Sequence, residues 1–462
     1  MRVVVVGGGI AGLSAARAVS AARPEVEVIV FEQSAHVGGK LRSAELAGHI
    51  VDVGAEALLA RRPEGVELLA GLGLDDERIA PLTTTAGLWV DGQLRPIPGG
   101  TFLGVPGDID AVAQSGVLSE AALARLRAED SEQFGPITAD VSVGGLVAER
   151  LGQEVVDRLV DPLLGGVYAG RAEHISLRAA IPDLAAELAR VGGSLVGAVR
   201  TVAQRARREQ GDSPVFTSIA GGLGRIPQVL VERGTFLVRT STAVQGITAA
   251  PDGFLLALGS RTDAEQLTAG AVIVATPAGK AAGLVRDLAP AAAGELSGIR
   301  TASVAIVSFA FRAGTRLPPG SGLLVPATSG RAVKGITISS QKWPGSPADP
   351  LFVRASLGRM GEEAVLQRED ADLIALARRD LADLIGVRAR PVGAIVTRWG
   401  GGLPQYDVGH VDRVTRLRAA VSAVPGLALA GASYDGIGIP ACIGTARLAA
   451  DVVLAHLAGR GQ

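Results

Sequence analysis

Cysteine is almost absent: Cys442 is the only one in 462 residues. A disulfide framework is therefore excluded, and so is a cysteine-based zinc or iron–sulfur site. Histidine is scarce as well. His36, His49, His174, His410 and His456 are scattered, without the close spacing of a metal site, so no metal is expected. Aromatic residues make up only 3% of the chain. Long apolar runs are missing too. No window supplies the roughly 20 apolar residues needed to cross a bilayer, and the nearest, Ala419–Tyr434, is broken by Pro425 and Gly426. The run from Met1 to Gly7 is too short for a signal peptide. These absences predict a cytoplasmic protein with no stable membrane insertion. The formal net charge is −1, and no basic run interleaves with aromatics, so nucleic acid is not an expected partner.

What remains is an ordinary globular composition, 48% apolar and 20% charged, long enough for two or three domains. It opens with a buried strand, Val3–Val6, followed by Gly7-Gly8-Gly9-Ile10-Ala11-Gly12 and an Ala/Leu-rich helix over about Leu13–Ala22. Val26–Glu32 completes a β-α-β unit. In Gly7-x-Gly9-x-x-Gly12 the first glycine makes the tight turn, the second admits a pyrophosphate, and the third lets helix and strand pack closely. The helix start offers free N–H groups to phosphates. Glu32, 20 residues after Gly12, can accept from ribose hydroxyls and disfavours a 2′-phosphate. A glycine-rich structural turn would not need the strand, the helix, the second strand and the acid together. A dinucleotide site is predicted.

Further along, the spacing predicts a hairpin over Trp89–Leu94 with Asp-Gly at its turn. Residues 108–210 are mainly helical, and the polar stretch Arg200–Pro214 is expected to end in an exposed, mobile loop. A second hairpin flanks Pro251-Asp252-Gly253, and Val272–Pro277 is a short buried strand. Val304–Phe311, Gly335–Ser339, Leu351–Leu357 and Gly393–Trp399 read as another sheet, and Asp370–Ile385 as an amphipathic helix. Leu427–Ala430 is a last strand before a helix over Cys442–Leu457. The fold class is α/β: a discontinuous Rossmann-like dinucleotide-binding domain (residues 1–80, 215–297 and 398–462) with two insertions. One is a mixed-sheet substrate domain (81–98 and 298–397), the other an α-helical domain (99–214).

FAD, rather than NAD, rests on two further segments, Val37-Gly38-Gly39-Lys40-Leu41-Arg42-Ser43 and Asp52-Val53-Gly54-Ala55-Glu56. By themselves they allow two readings. The glycine pair can bring the chain against a cofactor, with Lys40 and Arg42 reaching pyrophosphate oxygens, or it can be a turn with solvated basic residues. Both segments resemble the extended FAD fingerprint of the amine oxidase-like flavoproteins. In that class, the second glycine-rich strand-to-helix turn, Ala430–Pro440, faces the pyrimidine end of the isoalloxazine, where the helix dipole stabilises the negative charge of reduction.

Four segments sharpen the resemblance: Pro96–Gly100, Asp161–Gly170 with Ile175–Arg178, Leu403–His410, and Gly431–Cys442. They are similar to the oxygen-dependent, FAD-containing protoporphyrinogen and coproporphyrinogen III oxidases, over nearly the whole chain. Pro96–Pro106 resembles the soluble Gram-positive type that forms coproporphyrin III. Ala86-Gly87-Leu88 stands where the mammalian and plant protoporphyrinogen enzymes carry an arginine. The resemblance implies FAD contacts at Gly7, Gly8, Gly9, Ile10, Ala11, Gly12, Glu32, Gln33, Gly39, Lys40, Arg42, Gly54, Ala55, Glu56, Ala57, Val244, Trp399, Gly431, Ile437, Gly438 and Ile439. It implies substrate contacts at Gly166, Tyr168 and Arg171, with Tyr406 and His410 as weaker candidates. Arg95, Arg171, Arg331 and Lys334 are candidates for binding propionates.

The implied reaction is a six-electron oxidation of a porphyrinogen in three hydride transfers to flavin N5, with loss of N–H protons. Dioxygen is the acceptor and hydrogen peroxide the by-product. No catalytic acid, base or nucleophile is nominated, because the flavin carries the chemistry. The next haem-pathway enzyme is a partner for transient contact. Two alternatives stay open: an amine oxidase or phytoene desaturase-like enzyme, disfavoured by the few aromatics, and a FAD-containing lipid carrier without turnover.

Overall fold

The computed structural model describes residues 1–210, 214–259 and 264–460. At its centre is a five-stranded parallel sheet in the order Leu237–Arg239, Glu27–Phe31, Arg2–Val6, Ala271–Val274, Leu427–Leu429. Its inner strands are continuous apolar runs because both faces are covered. Val3, Val5, Val28 and Val30 pack beneath the helices Ile10–Ala22 and Ile439–Arg460. Val4, Val6, Ile29 and Phe31 face the helices Ala278–Val285, Pro290–Ser297 and His410–Ser422 and the ribbon Val244–Ala250/Gly253–Gly259. Helix Ile10–Ala22 is rich in Ala, lacks a β-branched run, and ends at Arg23, where the following Pro24 opposes further helix. Its Leu13, Ala15, Ala16 and Val19 are fully buried, each large side chain contributing roughly 1.5–3 kcal/mol.

A seven-stranded sheet stands beside this unit: Gly393–Pro404, Thr301–Phe311, Leu351–Leu357, Val333–Thr337, Gly322–Leu324, Ala86–Val90, Gln93–Pro96. Helix Asp370–Ile385 covers it through Leu373, Ala377, Leu381 and Leu384. Residues 109–210 form eight α-helical segments and one π turn, Val156–Val160, around their own core.

Two expectations need correction. Strand Gly393–Pro404 runs past Trp399, its expected end, and pairs with Thr301–Phe311 on both sides of an irregularity. Helix Leu195–Gln210 agrees with the helical reading of its region, and the loop expected after it falls on residues 211–213, outside the described residues. Contrary to the expectation that no such window exists, helix Ile439–Gly459, 21 residues with mean hydropathy 1.4, is long and apolar enough to cross a membrane. Half of it is buried: Cys442, Ile443, Ala446, Ala450, Val453 and Leu457 lie in the core shared with helix Ile10–Ala22, while Leu448 and Val452 are exposed.

Candidate cofactor and substrate site

The order of the parallel sheet reverses between strands Arg2–Val6 and Ala271–Val274. In doubly wound sheets, ligands bind in the crevice at the carboxyl ends of such a strand pair. Gly7 leaves the first strand at φ +111°, and a Cβ there would stand 2.8 Å from the Ala275 carbonyl oxygen. A Cβ on Gly12 would stand 1.9 Å from the Gly7 carbonyl oxygen. A Cβ on Gly9 would meet nothing within 4 Å. Two of these glycines are therefore required by the turn, and the third faces open space in front of the helix N-terminus at Ile10 and Ala11.

The second glycine segment lies against the first. Gly38 donates its N–H to the Gly8 carbonyl at 2.8 Å and pairs with Gly9, and Gly39 stands in contact range of Gly9 Cα. Glu32 closes the turn: its carboxylate accepts from Gly8 N–H, Ser34 N–H and Ser34 Oγ, each at 2.8 Å. Gln33 is exposed beside it. Val244 is buried nearby, two residues after Thr242, whose N–H donates to the Glu32 carbonyl at 2.9 Å.

Gly54 is pressed against the Lys40 carbonyl and the Trp399 ring. Trp399 Nε1 donates to the Val53 carbonyl at 3.3 Å, and Ala55 N–H to the Lys40 carbonyl at 3.0 Å. These contacts join the nucleotide unit to the seven-stranded sheet. Lys40, expected at the pyrophosphate, instead donates to the Gly402 carbonyl at 2.6 Å, and burial pulls its ammonium pKa down. Arg42 is exposed. Glu56 pairs with Lys342 at 2.6 Å and Arg354 at 2.7 Å. Burial pushes its carboxyl up, but the two cations outweigh it and leave the pKa at about 2. The Glu56 side chain thus ties this segment to the seven-stranded sheet and its flank.

At the other end, Gly431 has φ +128° and an open Cβ direction. The turn runs through Ile437 and Gly438 into the helix starting at Ile439. Tyr406 holds it: its hydroxyl accepts from Gly436 N–H at 2.8 Å and donates to the Ala432 carbonyl at 2.6 Å. His410 Nε2 lies 3.0 Å from the Tyr434 carbonyl. Tyr168 packs on Tyr406 with centroids 5.6 Å apart. Gln405 donates to the Tyr168 carbonyl at 2.8 Å. Gly166 is exposed and touches Leu324 of the seven-stranded sheet. The structure therefore brings Tyr168, Tyr406 and the C-terminal turn together. Arg171 is drawn away into ion pairs with Asp161 and Glu362.

Thr276 was missed in the sequence. It lies two residues past the end of strand Ala271–Val274, next to Gly7, and its Oγ1 is buried with no hydrogen-bond partner among the described residues. A polar residue just past the carboxyl end of a central strand is the signal that could have found it. The open faces of Gly9 and Gly431 and the orphan Thr276 hydroxyl fit an extended dinucleotide laid across the crevice.

The profile of the flavin containing amine oxidoreductases matches residues 10–454. The chain belongs to this family. Its cofactor is FAD, in keeping with the flavin-containing family. The coproporphyrinogen III oxidase of Mycobacterium tuberculosis is 40% identical over 457 residues, covering 98% of this chain and 97% of the relative. That of Bacillus subtilis is 30% identical, covering 98% of each chain. A crystal structure of a protoporphyrinogen oxidase candidate from Exiguobacterium superposes with TM-score 0.86 at 30% identity, covering 99% of each chain. The family resemblance seen in the motifs is borne out by these relatives.

Proposed function

We propose that this flavoprotein oxidises coproporphyrinogen III to coproporphyrin III in haem biosynthesis. In this reading it works in the cytoplasm, consumes dioxygen and releases hydrogen peroxide. The observation that carries the reading is the double use of Tyr406. One buried residue holds the cofactor turn through its hydroxyl and packs on Tyr168 in the segment assigned to the macrocycle. Relatives named coproporphyrinogen III oxidase, aligned over 98% of the chain, support the substrate.

Bound FAD would supply the two-electron acceptor for the successive oxidations. The chain's own residues bind, orient and exclude water. Gly7–Gly12 and the helix start at Ile10 would hold the pyrophosphate, and Glu32 the ribose. The helix start at Ile439 would set its positive end against the flavin ring system. Burial pushes the Tyr168 phenol up to about 12, so it stays neutral. Burial lowers the His410 imidazole, which stays neutral and holds the turn. No side chain in this constellation is assigned as a general acid or base; the protons pass to solvent or to a substrate nitrogen.

A second reading, protoporphyrinogen IX as the preferred substrate, has one observation in its favour. Arg171 and Arg331 are each neutralised by two carboxylates, which leaves fewer cations for two additional propionates. Mixing the oxidised holoenzyme anaerobically with each porphyrinogen tests the proposal. Flavin bleaching within the turnover time supports it. A flavin that stays yellow with both reductants overturns it in favour of a non-catalytic carrier.

A further inference from the structure

Lys334 is the extra residue of a β-bulge. Val333 pairs with Leu357 and Gly335 with the adjacent Ser356, so Lys334 has no partner on strand Leu351–Leu357; on its other side its carbonyl accepts from Val325 N–H at 2.9 Å. Val333 and Ile336 both lie in the core under helix Asp370–Ile385. The bulge thereby turns Lys334 and Gly335 to the opposite face, toward Gly165 and Gly166. There Lys334 Nζ donates to the Gly165 carbonyl at 3.2 Å, and Leu324 closes on both Gly335 and Gly166. Bulges re-aim side chains and concentrate beside active sites.

This ammonium is buried, with the residue 8% exposed, and has no ion pair among the described residues. The neighbouring acids are committed elsewhere. Asp161 accepts from Ala172 N–H and pairs with Arg171. Glu362 pairs with Arg171 and Arg359. Asp380 pairs with Arg331 and accepts from Val333 N–H. Arg359 adds a second positive charge near Lys334 and donates to the Val325 and Val333 carbonyls. A buried cation without an anion is costly. Gly166 and Val167, next to the Gly165 carbonyl that Lys334 meets, are exposed.

We propose that Lys334 binds one of the propionates that coproporphyrinogen carries and protoporphyrinogen lacks, and so sets the substrate preference. This rests on the porphyrinogen oxidase reading. Burial, with a smaller effect from Arg359, brings the free lysine to about 7. Arrival of a carboxylate restores the ammonium, so binding above that pH takes up a proton.

Wild-type, Lys334→Met and Lys334→Arg holoenzymes are titrated calorimetrically with coproporphyrin III and protoporphyrin IX, in two buffers of different ionisation enthalpy, at about pH 8. Flavin content reports folding. Lys334→Met should weaken coproporphyrin about tenfold, raise KM with kcat little changed, and spare protoporphyrin. It should also abolish proton uptake. Lys334→Arg should restore affinity without the uptake. Unchanged coproporphyrin binding by Lys334→Met, or equal losses for both porphyrins, would overturn the assignment and leave Lys334 as a structural tie to Gly165. A wild-type holoenzyme that binds neither porphyrin would instead overturn the porphyrinogen reading itself.

Discussion

The ring of Tyr406 stacks on that of His410 with centroids 3.9 Å apart and planes 13° from parallel. Both side chains are buried, and both bond to backbone of the turn that enters the last helix. Tyr406→Phe keeps the stack and removes both hydroxyl bonds. Each such bond contributes about 0.5–1.5 kcal/mol. The variant should fold, bind FAD roughly five- to 150-fold more weakly, and show a shifted flavin spectrum. Flavin release on dilution, followed by fluorescence, measures this. Unchanged retention would mean that the turn is held without the phenol.

Gly9 and Gly12 separate the cofactor from the fold. A Cβ on Gly9 meets nothing within 4 Å, whereas one on Gly12 stands 1.9 Å from a backbone oxygen. Gly9→Val should give a folded, colourless protein, because its side chain enters the space assigned to pyrophosphate. Gly12→Ala should lower the melting temperature of the apoprotein as well. Circular dichroism and flavin absorbance on the same samples distinguish the two. A yellow Gly9→Val protein would count against the phosphate site.

Glu56 makes an acid-sensitive tie. Its carboxyl falls from an ordinary 4.5 to about 2 in the folded state, because Arg354 and Lys342 outweigh the cost of burial. A depressed folded value contributes stability that is complete above about 4.5 and is lost as pH falls toward 2. Glu56→Gln leaves two largely buried cations unpaired, and breaking such a cluster costs about 3–5 kcal/mol. Melting temperatures from pH 7 down to pH 3 should show the variant below wild type at neutral pH, with the gap narrowing in acid. Parallel curves would show that the tie is not the titrating group.

Much of the fold is legible locally. Helix Asp370–Ile385 has the bounds its apolar spacing predicts, and the Asp91-Gly92 turn places its hairpin correctly. The glycine turns are legible because their requirement lies in the backbone itself. Strand Gly322–Leu324 is not, since three residues carry no periodicity and its parallel partner Ala86–Val90 is distant in sequence. The fates of long charged side chains are equally invisible. Glu56, Arg171 and Lys40 occur in motifs that suggest ligand contacts, yet their charged ends are taken up by Arg354, Glu362 and Gly402. Lys334 becomes distinctive only once the bulge is seen.

The central claim is the oxidation of a propionate-rich porphyrinogen, and turnover with coproporphyrinogen III and protoporphyrinogen IX side by side tests it most directly. Four propionates against two, with Lys334 available for one of the additional pair, favour coproporphyrinogen by about tenfold to a hundredfold in kcat/KM, or roughly 1.4–2.8 kcal/mol. Porphyrin fluorescence and peroxide formation, followed together in air, should show this preference, with three peroxides for each porphyrin formed. Higher kcat/KM on protoporphyrinogen would contradict the substrate assignment. Absence of turnover on both, with FAD bound, would contradict the account as a whole.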